Sequence, residues 1–393
     1  MPENDCQRLL TRIHDSELVE VCRQLIRFKS VNPPGNEREV SLYAARYLEV
    51  AGLEVELVEH TPERASLLAR LTSSGELPGL LFNAHPDTVP ASEEGWTYPP
   101  FSGELSHGKV WGRGASDMKG GLAAILVAVK ALAGSRTPLR GDLFVAITAG
   151  EEVDSLGAYA LVGRPELKSL QAIMVAEPSS NEIYVAEKGL LWLEITTLGK
   201  SAHGSMPELG TNAVMRMVAL LAELDRLDIP FTPHPLLGGF SRSINTISGG
   251  LSTNVVPDRC VATIDMRTVP GQEHPHILRQ VEHRIESLRQ RIPGFQASVT
   301  VAVDNPPVTT DPADPVVQRF NQALAQVTGR PSIPSGVRYY TDAAVFVPAL
   351  QIPMLICGPG DPALAHQTDE YVEVARLVEA ARIYALAAVE LLT

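Results

Sequence analysis

The sequence has few cysteines, no cluster of basic residues and no long uninterrupted hydrophobic run. Its four cysteines are widely separated among 393 residues and form no Cys-x-x-Cys pair, so the sequence indicates reduced thiols and no disulfide framework. Every hydrophobic run is shorter than the roughly 20 residues that a membrane-spanning helix needs, and the acidic N-terminus, residues 1–5, has no hydrophobic signal core. We therefore expect a cytoplasmic protein that does not bind a membrane.

The charge balance of the chain is acidic. The formal net charge is -13, and binding to phosphate groups requires a basic face that this sequence does not offer. Nucleic acid is therefore not an expected partner. With 45% hydrophobic residues, the chain can bury sizeable cores, and its length predicts two domains.

The stretch 111–121, WGRGASDMKGG, is a glycine-rich loop that places Asp117 just before an apolar helix predicted over 122–132. Glycine-rich loops before helices often bind phosphate. Here the carboxylate inside the loop would repel phosphate, the third glycine of the dinucleotide fingerprint is missing, and no Gly-Lys-Ser/Thr follows. The sequence favours a cation as the ligand of Asp117 over a nucleotide.

Further candidate ligands follow short apolar runs that we interpret as strands. In an open α/β sheet, ligands bind beyond the carboxyl ends of the strands. The side chains in that position are His85 and Asp87 after 79–84, Glu151 and Glu152 after 142–150, Glu177 after 172–176, and His366 after 354–358. Each of them alone would fit a structural role, but together with Asp117 they predict a metal site.

The set has the composition of a site for two divalent metal ions. Such a site needs a bridging carboxylate, terminal ligands on each side and a free general base. Zinc suits imidazole and carboxylate ligands, and cobalt or manganese fits the same donor set. One of Glu151 and Glu152 must stay off the metal to act as the base. Asp87 lies on the same side of the chain as His85, so we expect its carboxylate to accept the second imidazole proton.

The element pattern predicts an α/β protein with a second, inserted domain. Helices alternate with strands up to residue 188, which implies a mostly parallel sheet flanked by helices. Between 190 and 303 the order is strand, helix, strand, strand, helix, strand, which is the ferredoxin-like order. We expect a catalytic domain over 1–188 and 305–393, interrupted by a ferredoxin-like α+β domain over 189–304. The spacing of His203 in this insertion would by itself indicate a surface residue.

The chain resembles the dinuclear-zinc amidohydrolase and exopeptidase family of acetylornithine deacetylase, succinyl-diaminopimelate desuccinylase, glutamate carboxypeptidase and aminoacylase. The resemblance covers nearly the whole chain and depends on motifs that occur in the family's order. They are 85–87 (HPD), 112–121 (GRGASDMKGG), 151–152 (EE), 176–178 (AEP), 201–204 (SAHG) and 365–366 (AH). The segment around His366 looks closer to acetylornithine deacetylase than to the desuccinylase.

The resemblance implies a role for each residue of the predicted site. Asp117 would bridge both metals, and Glu151 would be the general base. The other implied roles are as follows: His85 and Glu177 complete one metal, Glu152 and His366 complete the other, and Asp87 orients His85.

The resemblance also implies that the inserted domain is a lid that mediates a homodimer. His203 would then reach the active site of the partner subunit, contrary to the surface interpretation. Asn245 and Arg267 would touch the substrate, with Arg267 holding its carboxylate.

Glu177, where aminopeptidase-like relatives carry Asp, favours N-acyl amino acids as small-molecule substrates. The alternatives are a metallo-carboxypeptidase or dipeptidase with the same site, a metal-binding regulator without activity, and a nucleotide-binding protein.

Overall fold

The computed structural model describes residues 3–135 and 137–393. Met1 and Pro2, which begin the acidic N-terminal stretch, lie outside the described residues. The helices are α1 (Glu3–Leu10), α2 (Asp15–Arg27), α3 (Arg38–Val50), α4 (Gly120–Ala133), α5 (Leu156–Leu161), α6 (Ala213–Asp225), α7 (His274–Arg291), α8 (Pro315–Thr328), α9 (Ala343–Leu350) and α10 (Val374–Leu392). The strands are β1 (Glu54–Thr61), β2 (Arg64–Leu71), β3 (Leu77–Ala84), β4 (Glu104–Ser106), β5 (Lys109–Trp111), β6 (Gly141–Ile147), β7 (Leu170–Val175), β8 (Tyr184–Glu187), β9 (Gly189–Leu198), β10 (Ser241–Gly249), β11 (Arg259–Thr268), β12 (Gln296–Asn305), β13 (Val308–Thr309), β14 (Ser335–Val337), β15 (Met354–Ile356) and β16 (Tyr371–Glu373).

The chain divides into two compact units. The first contains the residues up to Ala186, Thr309–Gly336 and Thr341–Thr393, and the second contains Glu187–Val308 and Val337–Tyr340. The short segment Val337–Tyr340 joins the second unit, whereas the sequence analysis assigned all of 305–393 to the first domain.

The first unit is built on a mixed sheet with the order β1-β2-β6-β3-β7-β15-β8-β13, and β14 pairs with β8. The central strands β6, β3, β7 and β15 are parallel to one another. From Gly79 to Ala84, successive side chains of β3 are all buried, and because successive side chains point to opposite faces, both faces of the sheet are covered. Helix α10 packs on α4 and contacts β3 and β6. The predicted mostly parallel α/β sheet is confirmed.

Several elements of the first unit were not predicted. Helix α9 reads AAVFVPAL, with Pro348 inside it, so its apolar residues show no helical period and its proline argues against a helix. The strand β16, just before α10, pairs with β5 in a small antiparallel sheet with β4. Such short strands lack enough residues to show an alternating pattern.

The second unit has the topology expected for a ferredoxin-like domain. Its four strands are antiparallel throughout, in the order β10-β11-β9-β12. Helix α6 packs against β9 and β11, and α7 packs against β12. Leu193 and Ile264 of the sheet join Met217 and Val281 of the helices in one buried core. The predicted order of strands and helices is confirmed.

Within the described part of the chain, no helix combines the length and the apolar character that crossing a membrane requires. Cys6 is half-buried, and the other three cysteines, Cys22, Cys260 and Cys357, are buried thiols outside any disulfide. This agrees with the absence of a disulfide framework in the sequence.

Candidate metal centre

Three neighbouring parallel strands deliver the buried side chains of the centre. His85 follows β3, Glu151 and Glu152 lie in the turn after β6, and Glu177 follows β7. These strands are adjacent in the order β6-β3-β7, so their carboxyl ends meet at one edge of the sheet. His85, Glu151 and Glu177 are buried there and lie close enough together to bind one ion.

The glycine-rich loop brings Asp117 to the same edge. A side chain at Gly121, the second residue of α4, would place its Cβ 2.2 Å from the carbonyl oxygen of Ala176. Only glycine therefore lets the start of this helix approach the end of β7. A Cβ at Gly358, after β15, would likewise lie 2.2 Å from the same carbonyl oxygen. These two close approaches gather the loops of Asp117 and His366 around Glu177. The peptide bond between Asp117 and Met118 is cis.

The two carboxylate oxygens of Asp117 face different histidines. Asp117 Oδ1 lies 3.2 Å from His85 Nε2, and Asp117 Oδ2 lies 3.3 Å from His366 Nε2. His85 Nε2 is also 3.3 Å from Glu177 Oε1, and His366 Nε2 is 3.1 Å from Glu152 Oε2. These five side chains thus form two groups of donor atoms that share the carboxylate of Asp117.

The spacing of these donor atoms matches that of ligands around a metal ion. A tetrahedral zinc ion with bonds of about 2.0–2.1 Å has neighbouring ligand atoms about 3.3 Å apart. Glu151 Oε2 lies farther from His85 Nε2, at 3.9 Å. Glu151 is thus farther from His85 Nε2 than either Asp117 or Glu177 is.

The charges of the cluster also fit divalent cations. Burial, followed by the charge of Asp117, raises the pKa of Glu177 to about 8, and burial raises the pKa of Glu151 well above its usual range despite the nearby His85. Hydrogen bonds that His366 donates to the carboxylates of Asp117 and Glu152 raise the pKa of His366 to about 10. Several ionised carboxylates that are buried close together need compensating positive charge, which a pair of cations would supply.

Asp87 places both its backbone carbonyl and its carboxylate near the imidazole of His85. His85 Nδ1 lies 3.0 Å from the backbone carbonyl oxygen of Asp87 and 3.6 Å from its carboxylate. The carboxylate accepts hydrogen bonds from the Asn32 side chain at 3.0 Å and from the N–H groups of Gly150 at 3.2 Å and Glu152 at 3.4 Å. The carbonyl is the nearer acceptor for the imidazole, and the carboxylate mainly holds the turn that carries the two glutamates.

The remaining predicted residues, His203, Asn245 and Arg267, belong to the second unit. His203 is exposed, and its Nδ1 lies 2.7 Å from Ser205 Oγ. Asn245 lies on the edge strand β10 and accepts a hydrogen bond from Ser243 Oγ. Arg267 forms a two-pronged ion pair with Asp265, with distances of 2.9 Å from Nε and 3.1 Å from Nη2.

Three buried residues of the first unit were not predicted to belong to the site. Asp342 begins α9, and burial raises its pKa to about 6; its carboxylate also contributes to the raised pKa of Glu151. Arg113 and Glu370 form a buried ion pair of 2.6 Å beside the loops of Asp117 and His366. Arg113 stands inside the glycine-rich loop, and Glu370 stands four residues after His366. Their closeness in sequence to these motifs is the only feature of the sequence that could have identified them.

Comparisons with known proteins agree with this geometry. The model of the family described as peptidase family M20/M25/M40 matches residues 81–390. A probable succinyl-diaminopimelate desuccinylase of Staphylococcus epidermidis is 28% identical over 92% of this chain and 95% of that protein. N-Formyl-4-amino-5-aminomethyl-2-methylpyrimidine deformylase of Bacillus subtilis is 26% identical over 94% of this chain and 93% of that protein.

Solved structures share the fold. An M20 family metallo-carboxypeptidase of Sulfolobus solfataricus has a TM-score of 0.81 at 19% identity, with 95% of this chain and 98% of that chain covered. A dinuclear metal binding peptidase of Bacillus subtilis from the M20 family has a TM-score of 0.73 at 18% identity, with 96% and 98% covered. Because the family model matches most of the chain, this protein belongs to peptidase family M20/M25/M40 and is an amidohydrolase of that family.

Proposed function

We propose that this protein hydrolyses the amide bond of N-acyl amino acids with a water activated by two divalent metal ions. The observation that carries the proposal is the shared carboxylate of Asp117, whose two oxygens lie 3.2 Å from His85 Nε2 and 3.3 Å from His366 Nε2. That arrangement is what a bridging ligand between two cations requires.

Each ion has its own terminal ligands in this proposal. His85 and Glu177 would complete the first site, and Glu152 and His366 would complete the second, with Asp117 common to both. Zinc is the ion that this mixture of imidazole and carboxylate suits best, with cobalt and manganese as alternatives. Two such cations would supply Lewis-acid chemistry, lowering the pKa of the attacking water and polarising the substrate carbonyl.

Glu151 is the proposed general base. Its carboxylate lies 3.9 Å from His85 Nε2, beyond the spacing of the nearest donors, and its burial disfavours the charged form. A carboxylate whose pKa is raised toward the working pH takes a proton from water more readily, and its protonated form can still act as the acid toward the leaving amine. Glu151 would accept the water proton as the carbonyl is attacked and then deliver it to the nitrogen of the leaving amine.

The names of the relatives support an acyl group as the part removed. A desuccinylase and a deformylase both release an acyl group from an amine. These names do not choose between acetyl, succinyl and formyl groups for this chain, and the arginine, lysine and degradative pathways remain alternatives. The second candidate function is a carboxypeptidase or dipeptidase with the same catalytic site.

The second unit would supply substrate contacts and a dimer interface. Strand β10 forms one edge of its sheet, and helix α6 exposes Met215 and Val218 by 60% and 49%. An edge strand beside exposed apolar side chains suits pairing with a second copy. In that homodimer His203 would serve the partner's site. Asn245 and Arg267 would contact substrate, with Asp265 orienting the guanidinium of Arg267 toward a carboxylate. The buried thiols of Cys22, Cys260 and Cys357 favour the reducing cytoplasm.

A hydrolysis screen tests the proposed function. N-acetyl, N-succinyl and N-formyl amino acids and a set of dipeptides would be incubated with the protein and with zinc, cobalt or manganese. We expect kcat/KM to be higher for at least one acyl amino acid than for every dipeptide. Cleavage of dipeptides alone would favour the second candidate function, and turnover of neither class would reject both.

A further inference from the structure

The carboxylate of Glu370 accepts several hydrogen bonds from the loop that carries Asp117. It is fully buried, and its Oε1 accepts hydrogen bonds from the backbone N–H groups of Ser116 at 2.8 Å and Asp117 at 3.0 Å. Its Oε2 accepts from the N–H of Gly114 at 3.0 Å and from Arg113 Nη1 at 2.6 Å. One side chain therefore fixes three peptide groups within the four-residue segment that ends at Asp117.

Arg113 connects this loop to the one that carries His366. Its Nη2 donates to the carbonyl oxygen of His366 at 3.2 Å, and its Nη1 donates to that of Gln367 at 3.3 Å as well as to Glu370. The guanidinium is buried and lies 5.4 Å from the ring centre of Trp96. A planar group with several donors in fixed directions can hold these three acceptors at once.

The backbone of His366 needs such support. Its φ angle is +63°, in the left-handed region that residues with a side chain adopt at a cost in free energy. Asp369, at φ +60°, accepts hydrogen bonds from Thr97 N at 2.6 Å and Thr97 Oγ1 at 2.8 Å. The segment from His366 to Glu370 is thus held by hydrogen bonds from Arg113 and from Thr97. These bonds fix the backbone from which the ring of His366 extends.

We infer that Arg113 and Glu370 are positioning residues that set the affinity of the two metal sites, and that they do so unequally. The inference rests on the proposed function, because it assumes that Asp117 and His366 bind metal. Glu370 holds the peptide group of Asp117, the ligand common to both sites. Arg113 bonds directly to the peptide group of His366, which serves only the site shared with Glu152. Loss of the Arg113 guanidinium should therefore lower the metal affinity of one site, and loss of the Glu370 carboxylate should lower the metal affinity of both sites.

Two conservative variants separate these effects. Arg113→Lys keeps the charge but lacks the second nitrogen with which the planar guanidinium spans Glu370 and the two carbonyl groups. Glu370→Gln keeps the shape, but its amide presents one acceptor oxygen and one NH2 donor to the four donors that surround it. Residues that support metal ligands typically change metal affinity by about 10- to 100-fold. We expect a loss of that size in one of the two binding steps for Arg113→Lys and in both steps for Glu370→Gln.

The chain offers a matched control far from the centre in the same sheet. Asp142 lies at the start of β6, whereas Glu151 and Glu152 follow the end of that strand. Its carboxylate likewise accepts from a backbone N–H, that of Ser73 at 2.7 Å, and pairs with Arg70 Nη2 at 2.6 Å. Arg70→Lys and Asp142→Asn therefore disturb an arginine–carboxylate–backbone cluster that contacts no proposed ligand.

The experiment is a metal titration of the metal-free full-length protein. Zinc or cobalt is added in competition with a chromophoric chelator to obtain two stepwise dissociation constants, and the visible absorption of bound cobalt reports the coordination of each ion. Thermal unfolding of each metal-free variant is measured beside it. The inference is supported if Arg113→Lys weakens one step and alters the corresponding cobalt absorption while Arg70→Lys and Asp142→Asn leave both steps unchanged.

Three results would overturn the inference. If Arg113→Lys unfolds at a lower temperature but binds both ions like the wild type, Arg113 has a role in folding alone. Equal weakening by Arg70→Lys and Arg113→Lys would show a general loss of stability. Wild-type protein that binds fewer than two ions would reject the dinuclear site itself, and so distinguishes failure of the proposed function from failure of this inference. If Glu370→Gln does not fold, Arg113→Lys alone decides.

Discussion

At the residue scale, the neighbouring glutamates Glu151 and Glu152 have different surroundings, which suit them to different roles. Glu152 lies 3.1 Å from His366 Nε2, within the spacing of ligands that share an ion. Glu151 is 3.9 Å from His85 Nε2 and is surrounded by other carboxylates that, together with burial, favour its protonated form. The proposed ligand Glu152 and the proposed base Glu151 thus stand next to each other in the sequence.

Replacement of the proposed base should separate catalysis from metal binding. For Glu151→Gln we expect kcat to fall by about 10² to 10⁴, which is typical for loss of a general base, while both metal ions remain bound. Steady-state kinetics and metal analysis of the same preparation measure the two effects. If the substitution removes an ion and Glu152→Gln does not, the roles of the two glutamates are reversed.

Arg267 allows a test of substrate recognition. Its guanidinium is held by Asp265 through Nε and Nη2, so an incoming carboxylate would meet the Nη1 edge. Arg267→Lys loses this planar geometry but keeps the charge, and we expect a clear increase in KM for substrates with a free carboxylate. Arg259→Lys, at the exposed start of the same strand, is the matched control. Equal KM values for both variants would exclude the proposed role.

At the element scale, the first turn of α4 and the end of β7 must approach each other for the centre to form. The helix starts with two glycines, Gly120 and Gly121, and the second of these has no space for a side chain beside the carbonyl of Ala176. The glycines therefore allow close packing. Asp117 lies just before α4 and Glu177 just after β7, so this packing brings the two carboxylates together.

A single methyl group should disturb this contact. Gly121→Ala would place Cβ 2.2 Å from Ala176 O, and backbone atoms cannot move away as a flexible side chain could. We expect a loss of about 1–3 kcal/mol in the free energy of unfolding, as for other overpacked sites, together with weaker metal binding. Urea unfolding measures the first quantity. Gly163→Ala, where a Cβ would meet nothing within 4 Å, should be nearly neutral and serves as the control.

At the scale of the whole molecule, metal ions are expected to link stability to activity. Carboxylates gathered in the first unit repel one another without cations, and any ligand that binds only the folded state stabilises it. Exhaustive chelation should therefore abolish turnover and lower the unfolding temperature, and zinc or cobalt should restore both. Activity that persists in protein shown by metal analysis to be metal-free would contradict the proposal.

The proposed homodimer makes a prediction that a monomer cannot satisfy. If His203 acts across the interface, a mixed dimer of Glu151→Ala and His203→Ala chains contains one intact site, formed by Glu151 of one chain and His203 of the other. Random mixing of two inactive variants should then restore about a quarter of the wild-type activity, because half of the dimers are mixed and each has one working site. Mass spectrometry would verify the mixed dimers. Parental activity in their presence would exclude action in trans.

Much of this protein could be predicted from the sequence because the relevant signals are local. Alternating helices and strands predict a mostly parallel sheet, and residues placed just after its strands must meet at one edge. His85, Glu151, Glu152 and Glu177 were identified in that way. The strand and helix order of the inserted domain was likewise sufficient for its topology.

The tertiary structure alone decided which groups touch. Arg113 and Glu370 are 257 positions apart, and no periodicity or motif spacing encodes a contact of that kind. The acceptor beside His85 Nδ1 is a backbone carbonyl, which every residue possesses, so the sequence could not distinguish it from the carboxylate of Asp87. Helix α9 forms in spite of Pro348 because burial of its apolar residues outweighs its weak intrinsic preference. Local patterns select the elements, whereas the packing between distant elements selects the distances on which a metal site depends.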